Sequence, residues 1–268
     1  MLLREVGYAR PETLAEALEL LAANDGARAL AGGQTIINVM KARAASPDAL
    51  IDLNGLSELK GIDLAPDGKL SLGAMATYTE IVESAEARAR PILGEVCAQI
   101  ADVQVRNRGT IGGNVCSNDP TNHLPPLMVA LDARMTIAGA DGERDVDAMD
   151  FFLGVYLTAV GTGELLTRIT LPAGRADGFA SITLGADGTC ICSAAASVNG
   201  TVHVALGCVD AVPVSIHPPS TDEETVRQAV RDIGLQAPSD VHASSEYRAH
   251  LAEVVAVRAV DQALEAKR

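Results

Sequence analysis

Thr110-Ile111-Gly112-Gly113-Asn114 is the stretch of this chain that says most about its fold, and Ala31-Gly32-Gly33-Gln34-Thr35 is its counterpart nearer the N-terminus. In both, a pair of adjacent glycines precedes amide or hydroxyl side chains. Glycine allows left-handed backbone angles and close approach of a ligand to the peptide, and successive exposed N–H groups form an anion-binding concavity. A single Gly-Gly pair usually marks only a turn. Two such segments together predict two loops that enclose one pyrophosphate group.

Two common phosphate-binding motifs are absent from the sequence. The chain contains neither the Gly-x-Gly-x-x-Gly pattern of the dinucleotide-binding Rossmann fold nor the Gly-x-x-x-x-Gly-Lys-Ser/Thr pattern of the P-loop. A nucleotide would therefore be held by loops from separated parts of one domain.

Composition and charge exclude several classes of partner. The 268 residues are 48% apolar, enough for a substantial core, but aromatic residues make up only 3% and tryptophan is absent. Few aromatic side chains argue against a base-stacking surface for nucleic acid, and a net charge of −14 opposes binding to phosphate backbones or anionic membranes. No apolar run reaches the length of a membrane span. Met1-Leu2-Leu3-Arg4-Glu5 lacks the features of a signal peptide, so we expect a cytoplasmic protein.

The five cysteines predict free thiols. Their number is odd, and no Cys-x-x-Cys pair occurs among Cys97, Cys116, Cys190, Cys192 and Cys208. Cys190 and Cys192 are expected to point to one face of a strand. They are either half of a metal site or small buried side chains. The sequence shows no set of ligands for an iron–sulfur cluster or zinc.

Apolar periodicity and turn signals predict alternating helices and strands before residue 173. Helices are predicted after Pro11, after the first glycine segment and from Pro91, and Thr77-Tyr78-Thr79-Glu80 has the spacing of a capping box that starts another. The second glycine segment is predicted to be a loop, and a helix is predicted over 125–131. The predicted strands are 27–31, 49–53, 70–74, 134–138 and 165–171.

A change of composition at 173–178 predicts a domain boundary. Beyond it, Asn199-Gly200 separates two apolar runs, a strong signal for a β-hairpin. Residues 213–219 are predicted to be a loop, and helices are predicted over 221–233 and from 244 onward. We therefore predict domains over 1–173 and 177–268.

Several motifs follow one another in a fixed order along nearly the whole chain. They are Ala31-Gly32-Gly33-Gln34-Thr35 with Met40-Lys41-Ala42-Arg43, Arg108-Gly109-Thr110-Ile111-Gly112-Gly113-Asn114 with Asp119-Pro120, Gly163-Glu164-Leu165-Leu166 with Leu171-Pro172, and Ser245-Glu246-Tyr247-Arg248. In this order they resemble the FAD-binding medium subunit of molybdenum hydroxylases, the family of carbon monoxide dehydrogenase and xanthine dehydrogenase flavoproteins.

The resemblance implies an α+β fold with two domains. Residues 1–173 would form the two-part, PCMH-type FAD-binding domain of the vanillyl-alcohol-oxidase-like class. Residues 177–268 would form the C-terminal domain of carbon monoxide dehydrogenase flavoproteins, a small antiparallel sheet plus helices. The implied cofactor is non-covalent FAD, with [2Fe-2S] clusters and molybdopterin only on partner subunits. The implied partners are a small iron–sulfur subunit and a large molybdopterin subunit, in a dimer of heterotrimers, with no nucleic acid and no membrane span.

The resemblance also implies which residues contact FAD, and it assigns no catalytic residue and no metal ligand. The backbone of 31–35 and 110–114 would hold the pyrophosphate, because peptide N–H groups supply donors without a bulky side chain. Added hydroxyl donors would be Thr35, Thr110 and Ser117. The full implied set is Leu30, Ala31, Gly32, Gly33, Gln34, Thr35, Ile36, Ala101, Val105, Gly109, Thr110, Ile111, Gly112, Gly113, Asn114, Cys116, Ser117, Asn122, His123 and Leu165.

The flavin end of this set contains a departure from the family. Asn122 would face the ribityl chain or the flavin, and Leu165 would pack near the cofactor rings. Residues 119–125 read Asp-Pro-Thr-Asn-His-Leu-Pro, and His123 stands where the family often has a carboxylate that touches the cofactor. His123 either hydrogen-bonds the flavin and tunes its potential or only packs. Residues 181–188 also differ from the basic, aromatic-rich segment usual in the family.

Two functions follow from the resemblance. The first is an electron-transfer subunit that takes electrons from iron–sulfur clusters of a partner and passes them to an external acceptor. The alternative is a stand-alone FAD-dependent oxidoreductase of the same superfamily, which would need its own substrate acids and bases. For either function, valine at Gly112 or Gly113 is predicted to abolish FAD retention while most of the fold remains.

Overall fold

The computed structural model describes residues 3–174, 176–185 and 188–267. Its mixture of helices and mainly antiparallel sheets confirms the α+β class. Four parts of the sequence discussed above lie outside the described residues: Met1-Leu2, Arg175, Ala186-Asp187 and Arg268.

A small parallel sheet forms the N-terminal part of the molecule. Its strands, in the spatial order β1-β3-β2, are β1 (Gly7–Ala9), β2 (Ala27–Leu30) and β3 (Ala49–Asp52). The helices between them are α1 (Leu14–Ala22) and α2 (Ile36–Lys41). Parallel strands need such crossover connections. The first glycine segment therefore leaves the sheet at the end of β2 and enters α2.

An antiparallel sheet of five strands forms the second layer, in the order β4-β5-β10-β6-β7. Its strands are β4 (Ile62–Leu64), β5 (Leu70–Gly73), β6 (Arg134–Gly139), β7 (Gly142–Asp147) and β10 (Leu165–Leu171). A separate hairpin, β8 (Phe152–Gly154) with β9 (Leu157–Thr158), precedes β10.

Short helices surround the second sheet and bury its apolar face. They are α3 (Tyr78–Glu83), α4 (Pro91–Gln99), α5 (Val103–Arg106), α6 (Ile111–Ser117), α7 (Leu124–Ala130) and α8 (Ala148–Phe151), with 3-10 turns at Leu53–Gly55, Ser57–Leu59 and Glu86–Ala89. Leu93, Leu127 and Ile169 are fully buried in the core between helices and sheet. Burial of one such side chain contributes about 1.5–3 kcal/mol to the stability of the fold.

The start of α3 matches the sequence prediction, whereas the start of α6 corrects it. Thr77 Oγ1 accepts the N–H of Glu80 at 3.2 Å and Glu80 Oε2 accepts the N–H of Thr77 at 2.7 Å, so the capping box is confirmed. Gly112 and Gly113 lie in the first turn of α6, and the predicted loop is wrong. Glycine is a poor helix former, but Thr110 caps the helix through the N–H of Gly113.

A second antiparallel sheet and two helices form the C-terminal part. The strands, in spatial order, are β11 (Ala176–Leu184), β12 (Thr189–Val198), β13 (Val202–Gly207) and β14 (Val214–Ile216), and the helices are α9 (Glu223–Asp232) and α10 (Ser245–Ala266). The hairpin at Asn199-Gly200 is confirmed, with Gly200 at φ +76°. The loop predicted over 213–219 is wrong in part, because β14 pairs there with β13.

A buried ion pair joins the C-terminal sheet to the rest of the chain. Arg90 Nε lies 2.7 Å from Asp177 Oδ2, and both side chains are almost fully buried. Arg90 Nη1 also donates to Pro172 O at 2.8 Å. Loss of one partner of a buried pair is strongly destabilising. The division into domains 1–173 and 177–268 stays a prediction.

Cys190 and Cys192 do not share a face of β12, so that expectation is wrong. The pairing partners of Ile182 and Thr183 are Cys192 and Cys190, which marks a β-bulge at this point. Cys192 Sγ lies 3.9 Å from the Arg248 carbonyl oxygen of α10. Cys190 instead lies beside Cys208 and His123, whose hydrogen bonds lower the pKa of the Cys190 thiol despite its burial. All five thiols are free.

Candidate functional site

A cleft of about 840 Å³ brings the two glycine segments together. It lies between the first sheet with α2 and the N-terminal part of α6. The sequence-predicted cofactor residues that line it are Ala31, Gly32, Gly33, Gln34, Thr35, Ile36, Gly109, Thr110, Gly112, Gly113, Asn114, Cys116, Ser117 and Leu165.

The other predicted residues lie elsewhere. Leu30 lines a smaller pocket of about 370 Å³, which the first glycine segment also lines. Ile111 is fully buried in the core beneath α6. The remaining four predicted residues do not line the cleft: Ala101, Val105, Asn122 and His123.

The first glycine segment is shaped by backbone geometry and by a close contact. Gly33 has φ +74°, which a side chain would strain. A Cβ on Gly32 would lie 2.0 Å from the carbonyl oxygen of Arg108. Both glycines are therefore required for this segment to pass against the chain that leads into α6.

Polar side chains at the end of β3 anchor the first glycine segment. Asn54 Nδ2 donates to the carbonyl oxygen of Ala31 at 3.0 Å and to Asp52 Oδ1 at 2.6 Å. The Tyr8 hydroxyl donates to Asp52 Oδ2 at 2.5 Å. Burial alone would raise the pKa of Asp52, but the hydrogen bonds from Tyr8 and Asn54 outweigh it and leave this pKa below its ordinary value. Asp52 is therefore ionised at neutral pH.

The backbone N–H groups of residues 32–36 have no hydrogen-bond partner in the part of the chain that the structure describes. Among residues 3–174, 176–185 and 188–267, no oxygen accepts a hydrogen bond from any of these five groups. They precede the first turn of α2 and line the cleft. Consecutive unpaired N–H groups attract anions. This segment therefore fits a pyrophosphate.

The N–H groups of the second glycine segment are used by the protein itself. The N–H of Ile111 donates to Ala76 O at 2.9 Å, and that of Gly112 donates to Ala74 O at 2.9 Å. The N–H of Gly113 donates to Thr110 Oγ1 at 3.0 Å, and the N–H of Asn114 donates to Thr110 O at 3.0 Å. Only the N–H of Thr110 lacks an acceptor within the described ranges. This segment therefore offers one peptide donor.

Positions 112 and 113 require glycine for different reasons. A Cβ on Gly112 would lie 2.6 Å from the carbonyl oxygen of Ala74, inside the protein. A Cβ on Gly113 would lie 2.9 Å from Thr110 Oγ1 and 3.7 Å from Ala31 Cβ, between the two walls of the cleft. Gly112 is required for packing, and Gly113 keeps the cleft open.

Asn114 carries a polar atom suited to a ligand. Its Nδ2 donates to the Tyr78 hydroxyl at 3.0 Å, whereas its buried Oδ1 has no hydrogen-bond partner in the described part of the chain. A buried polar atom without a partner is costly. A hydroxyl or N–H group of FAD would satisfy it. The cleft therefore fits the cofactor at two independent points, residues 32–36 and Asn114.

Asn122 does not line the cleft but donates hydrogen bonds to two residues that do. Its Nδ2 donates to Ser117 Oγ at 3.0 Å and to Asn114 O at 3.1 Å. Ser117 Oγ in turn donates to Asn114 O at 2.8 Å. Asn122 thus positions Ser117, which lines the cleft. Its predicted contact with the ribityl chain or flavin stays a prediction.

The ionisable groups of the cleft are neutral or engaged. Burial raises the pKa of the Cys116 thiol to about 12, so this thiol is protonated at neutral pH. Glu164 accepts a hydrogen bond from Arg144 Nη2 at 2.7 Å, which lowers the pKa of Glu164. Arg28 Nη1 donates to the carbonyl oxygens of Asp25 and Ala27 at 2.8 and 2.7 Å. None of these groups is poised to transfer a proton.

His123 faces the C-terminal sheet. Its ring centroid lies 5.2 Å from that of Phe179 in β11, and its side chain lies beside Cys190. His123 is 8% exposed, and its Nδ1 has no hydrogen-bond partner within the described ranges. Its predicted influence on a flavin stays a prediction.

Several cleft residues were missed by the sequence analysis. Most are ordinary side chains that no pattern marks; Tyr78 belongs to the capping box noted above, and Glu164 and Leu166 belong to another motif noted above. The missed residues are Gly26, Arg28, Ala29, Val39, Ala44, Ala45, Ser46, Pro47, Leu53, Leu59, Ala74, Met75, Tyr78, Tyr156, Val160, Glu164 and Leu166.

The described residues contain neither a cluster of metal ligands nor a helix that could span a membrane. No group of three or more His, Cys, Asp or Glu side chains there is arranged to hold a metal ion. None of the helices in those ranges has both the length and the apolar character needed to cross a membrane.

Comparisons with known proteins identify a family of FAD-binding domains. Residues 4–174 match the family model described as FAD binding domain in molybdopterin dehydrogenase. The chain is 33% identical to the carbon monoxide dehydrogenase medium chain of Afipia carboxidovorans, over 96% of each chain. It is 39% identical to the glyceraldehyde dehydrogenase medium chain of Sulfolobus acidocaldarius over 179 residues, 66% of this chain and 63% of that relative. Its structure superposes on a chain of quinoline 2-oxidoreductase from Pseudomonas putida 86 with a TM-score of 0.92 and 31% identity, over 100% of each chain.

Proposed function

The chain belongs to the family of FAD-binding domains of molybdopterin dehydrogenases, a family of oxidoreductase flavoprotein subunits, and we propose that it is the electron-transfer subunit of a heteromeric molybdenum hydroxylase. In this proposal [2Fe-2S] clusters belong to a small partner subunit and molybdopterin to a large one. Bound FAD supplies the chemistry, accepting electrons from the clusters and releasing them to an external acceptor. The chain itself supplies binding and orientation.

The observation that carries the proposal is the row of N–H groups at residues 32–36, which have no acceptor within the described ranges and lie on the wall of the cleft. These donors would hold the pyrophosphate, with the N–H of Thr110 opposite them. Asn114 Oδ1 would accept a hydrogen bond from the cofactor. Gly113 would leave room between the walls. FAD held by such contacts needs no covalent bond, so we propose that it is bound non-covalently.

The ionisable side chains of the cleft support the proposal that a partner subunit, and not this chain, oxidises the substrate. A stand-alone oxidoreductase would need an acid or base beside its substrate. The Cys116 thiol is protonated at neutral pH, and Glu164 is engaged by Arg144. No side chain along the described wall of the cleft therefore favours the stand-alone alternative.

The proposal extends to assembly and location. The relatives from Afipia carboxidovorans and Sulfolobus acidocaldarius named above are medium chains by name. A dimer of heterotrimers is the assembly that we propose for this chain with its partners. Five free thiols are typical of proteins kept in a reducing compartment, which supports a cytoplasmic location.

The test begins with the cofactor. Protein purified in the presence of FAD should be yellow, and denaturation should release a chromophore with the mass of FAD. Flavin that stays with the denatured polypeptide would contradict non-covalent binding. A well-folded protein that binds no flavin would contradict the proposal.

The second part of the test concerns partners. Co-expression with the products of flanking genes should yield one complex by size-exclusion chromatography, containing flavin, iron and molybdenum. The isolated chain should oxidise no organic substrate. Turnover of an organic substrate by the isolated chain would favour the stand-alone oxidoreductase.

A further inference from the structure

Tyr156 has an unusual backbone conformation at the edge of the cleft. It lies in the turn between β8 and β9, with φ +55°. The residue is 62% exposed although it lines the cleft. A bulky residue at positive φ is strained, and such strain often marks a functional site. No motif in the sequence marks this residue.

The strained turn is attached to α6 through Asn118. The N–H of Tyr156 donates to Asn118 O at 3.2 Å, and Asn118 Nδ2 donates to Gly154 O at 2.7 Å. Asn118 is 1% exposed and ends α6 with φ +38°. The helix that carries Gly113 and Cys116 into the cleft therefore also fixes the backbone of Tyr156.

A separate contact fixes the far end of the Tyr156 side chain. Its hydroxyl donates to Asp119 Oδ2 at 2.9 Å. Asp119 Oδ1 accepts the N–H of Thr121 at 2.9 Å and the Thr121 hydroxyl at 2.7 Å. Both ends of the tyrosine are thus held, and the ring between them remains exposed beside the cleft.

We propose that Tyr156 is a positioning residue whose ring covers one of the two flat ring systems of FAD. The proposal rests on the proposed function, because it requires FAD in this cleft. An exposed aromatic ring that is already held at both ends loses little conformational freedom when a second ring packs on it. Flat π systems stack favourably on tyrosine. The strained backbone at φ +55° and the hydrogen bond to Asp119 would hold the Tyr156 ring in the position needed for stacking.

The decisive variant is Tyr156→Gly in the full chain. Glycine adopts positive φ without strain, so the FAD-free variant should unfold at a urea concentration equal to or higher than that of the wild type. Its Kd for FAD should rise by about 5- to 150-fold, the range for stacking of a base on an aromatic side chain. Tyr156→Phe keeps the ring and should raise the Kd by a smaller factor. Tyr247→Ala is the matched control, because Tyr247 is 48% exposed and does not line the cleft.

ADP and FAD distinguish the two ring systems. If Tyr156 covers the adenine, Tyr156→Gly should raise the Kd for ADP and the Kd for FAD by similar factors. If it covers the isoalloxazine, ADP binding is unchanged and the visible absorption band of bound FAD shifts. An unchanged Kd for FAD, or a loss of affinity accompanied by lower stability of the FAD-free protein, would overturn the proposal. Wild-type protein that binds no FAD would contradict the proposed function instead.

Discussion

The two glycine pairs line the same cleft, but their backbones do different things there. Gly32 and Gly33 belong to a segment whose N–H groups, over residues 32–36, have no acceptor among the described residues. Gly112 and Gly113 begin α6, and their N–H groups donate to Ala74 O and Thr110 Oγ1. The first segment presents donors to a ligand, whereas the second closes the opposite wall.

This difference shows that the same dipeptide can serve ligand binding or packing. Position 112 has no room for a side chain because Ala74 lies against it, and position 32 has none because Arg108 lies against it. Gly33 is needed for its φ of +74°. Of the four glycines, Gly113 is the one whose missing side chain leaves space between the walls of the cleft. Close packing therefore requires Gly32 and Gly112, backbone conformation requires Gly33, and the open cleft requires Gly113.

The largest effect is expected from Gly112→Ala. The new Cβ would lie 2.6 Å from Ala74 O and 2.7 Å from Ala74 Cβ. Forcing an atom into a filled core costs up to about 3 kcal/mol, and we expect that loss in the free energy of unfolding of the FAD-free chain. Urea unfolding measures it. This geometry replaces the sequence-based expectation that a side chain at Gly112 leaves most of the fold.

Gly113→Ala is the matched control for that measurement. Its Cβ meets Thr110 Oγ1, so the expected cost is that of a disturbed helix cap, about 1 kcal/mol. Equal losses of unfolding free energy in the two variants would remove the distinction between the glycines.

A smaller effect is expected for FAD binding by Gly113→Val. The valine side chain would extend into the gap between Thr110 and Ala31, both of which line the cleft. Overpacking of about 2 kcal/mol would raise the Kd for FAD about 30-fold. A fluorescence titration with FAD checks this. Retention of wild-type affinity would show that FAD does not pass between these two residues.

Much of the architecture was predictable from local signals. The capping box at Thr77 and Glu80 and the hairpin at Asn199-Gly200 satisfy backbone groups within a few residues, so their sequences suffice to predict them. The α6 helix was missed because glycine disfavours helices, and its start is fixed by the remote residues Ala74 and Ala76. Strand β14 was missed because its three residues become a strand only by pairing with β13.

The site was predictable in part for the same reason. The glycine segments carry their own signature, so most of their residues could be placed on the cleft from sequence. Which N–H groups are unpaired depends on acceptors more than 30 positions away, such as Ala74 for Gly112. Tyr156 gave no signal, because its position depends on Asn118 and Asp119. The sequence therefore predicted where the two segments lie but not which of them has N–H groups available for a ligand.

A moderate effect is expected when the anchor of the first segment is removed. Asn54→Ala deletes the hydrogen bond to Ala31 O. A hydrogen bond contributes about 1 kcal/mol, so the Kd for FAD should rise about fivefold. Asn107→Ala is the matched control, because the Asn107 side chain pairs with Thr79 outside the cleft. Equal effects of the two substitutions on the Kd would contradict the anchoring role of Asn54.

The smallest effect is a dependence on pH through Asp52. Its pKa in the folded protein lies below the ordinary value, near 3.9 in unfolded chains. The stabilisation from its carboxylate is therefore fully present above that unfolded value and is lost as pH falls through the folded one. We expect the Kd of the wild type for FAD to rise at pH below about 4. Asp52→Asn should have a flatter profile, and identical profiles would exclude Asp52 as the titrating group.

Hydrogen exchange of individual backbone amides tests the contrast between the segments most directly. In the FAD-free protein, the amides of 32–36 should exchange rapidly, whereas those of 111–114 should be protected by their acceptors in the protein. Binding of FAD should slow exchange at 32–36 by a much larger factor than at 111–114. Amides at 32–36 that are protected before FAD binds, or that gain less protection than those at 111–114, would contradict the assignment of the first segment as the pyrophosphate site.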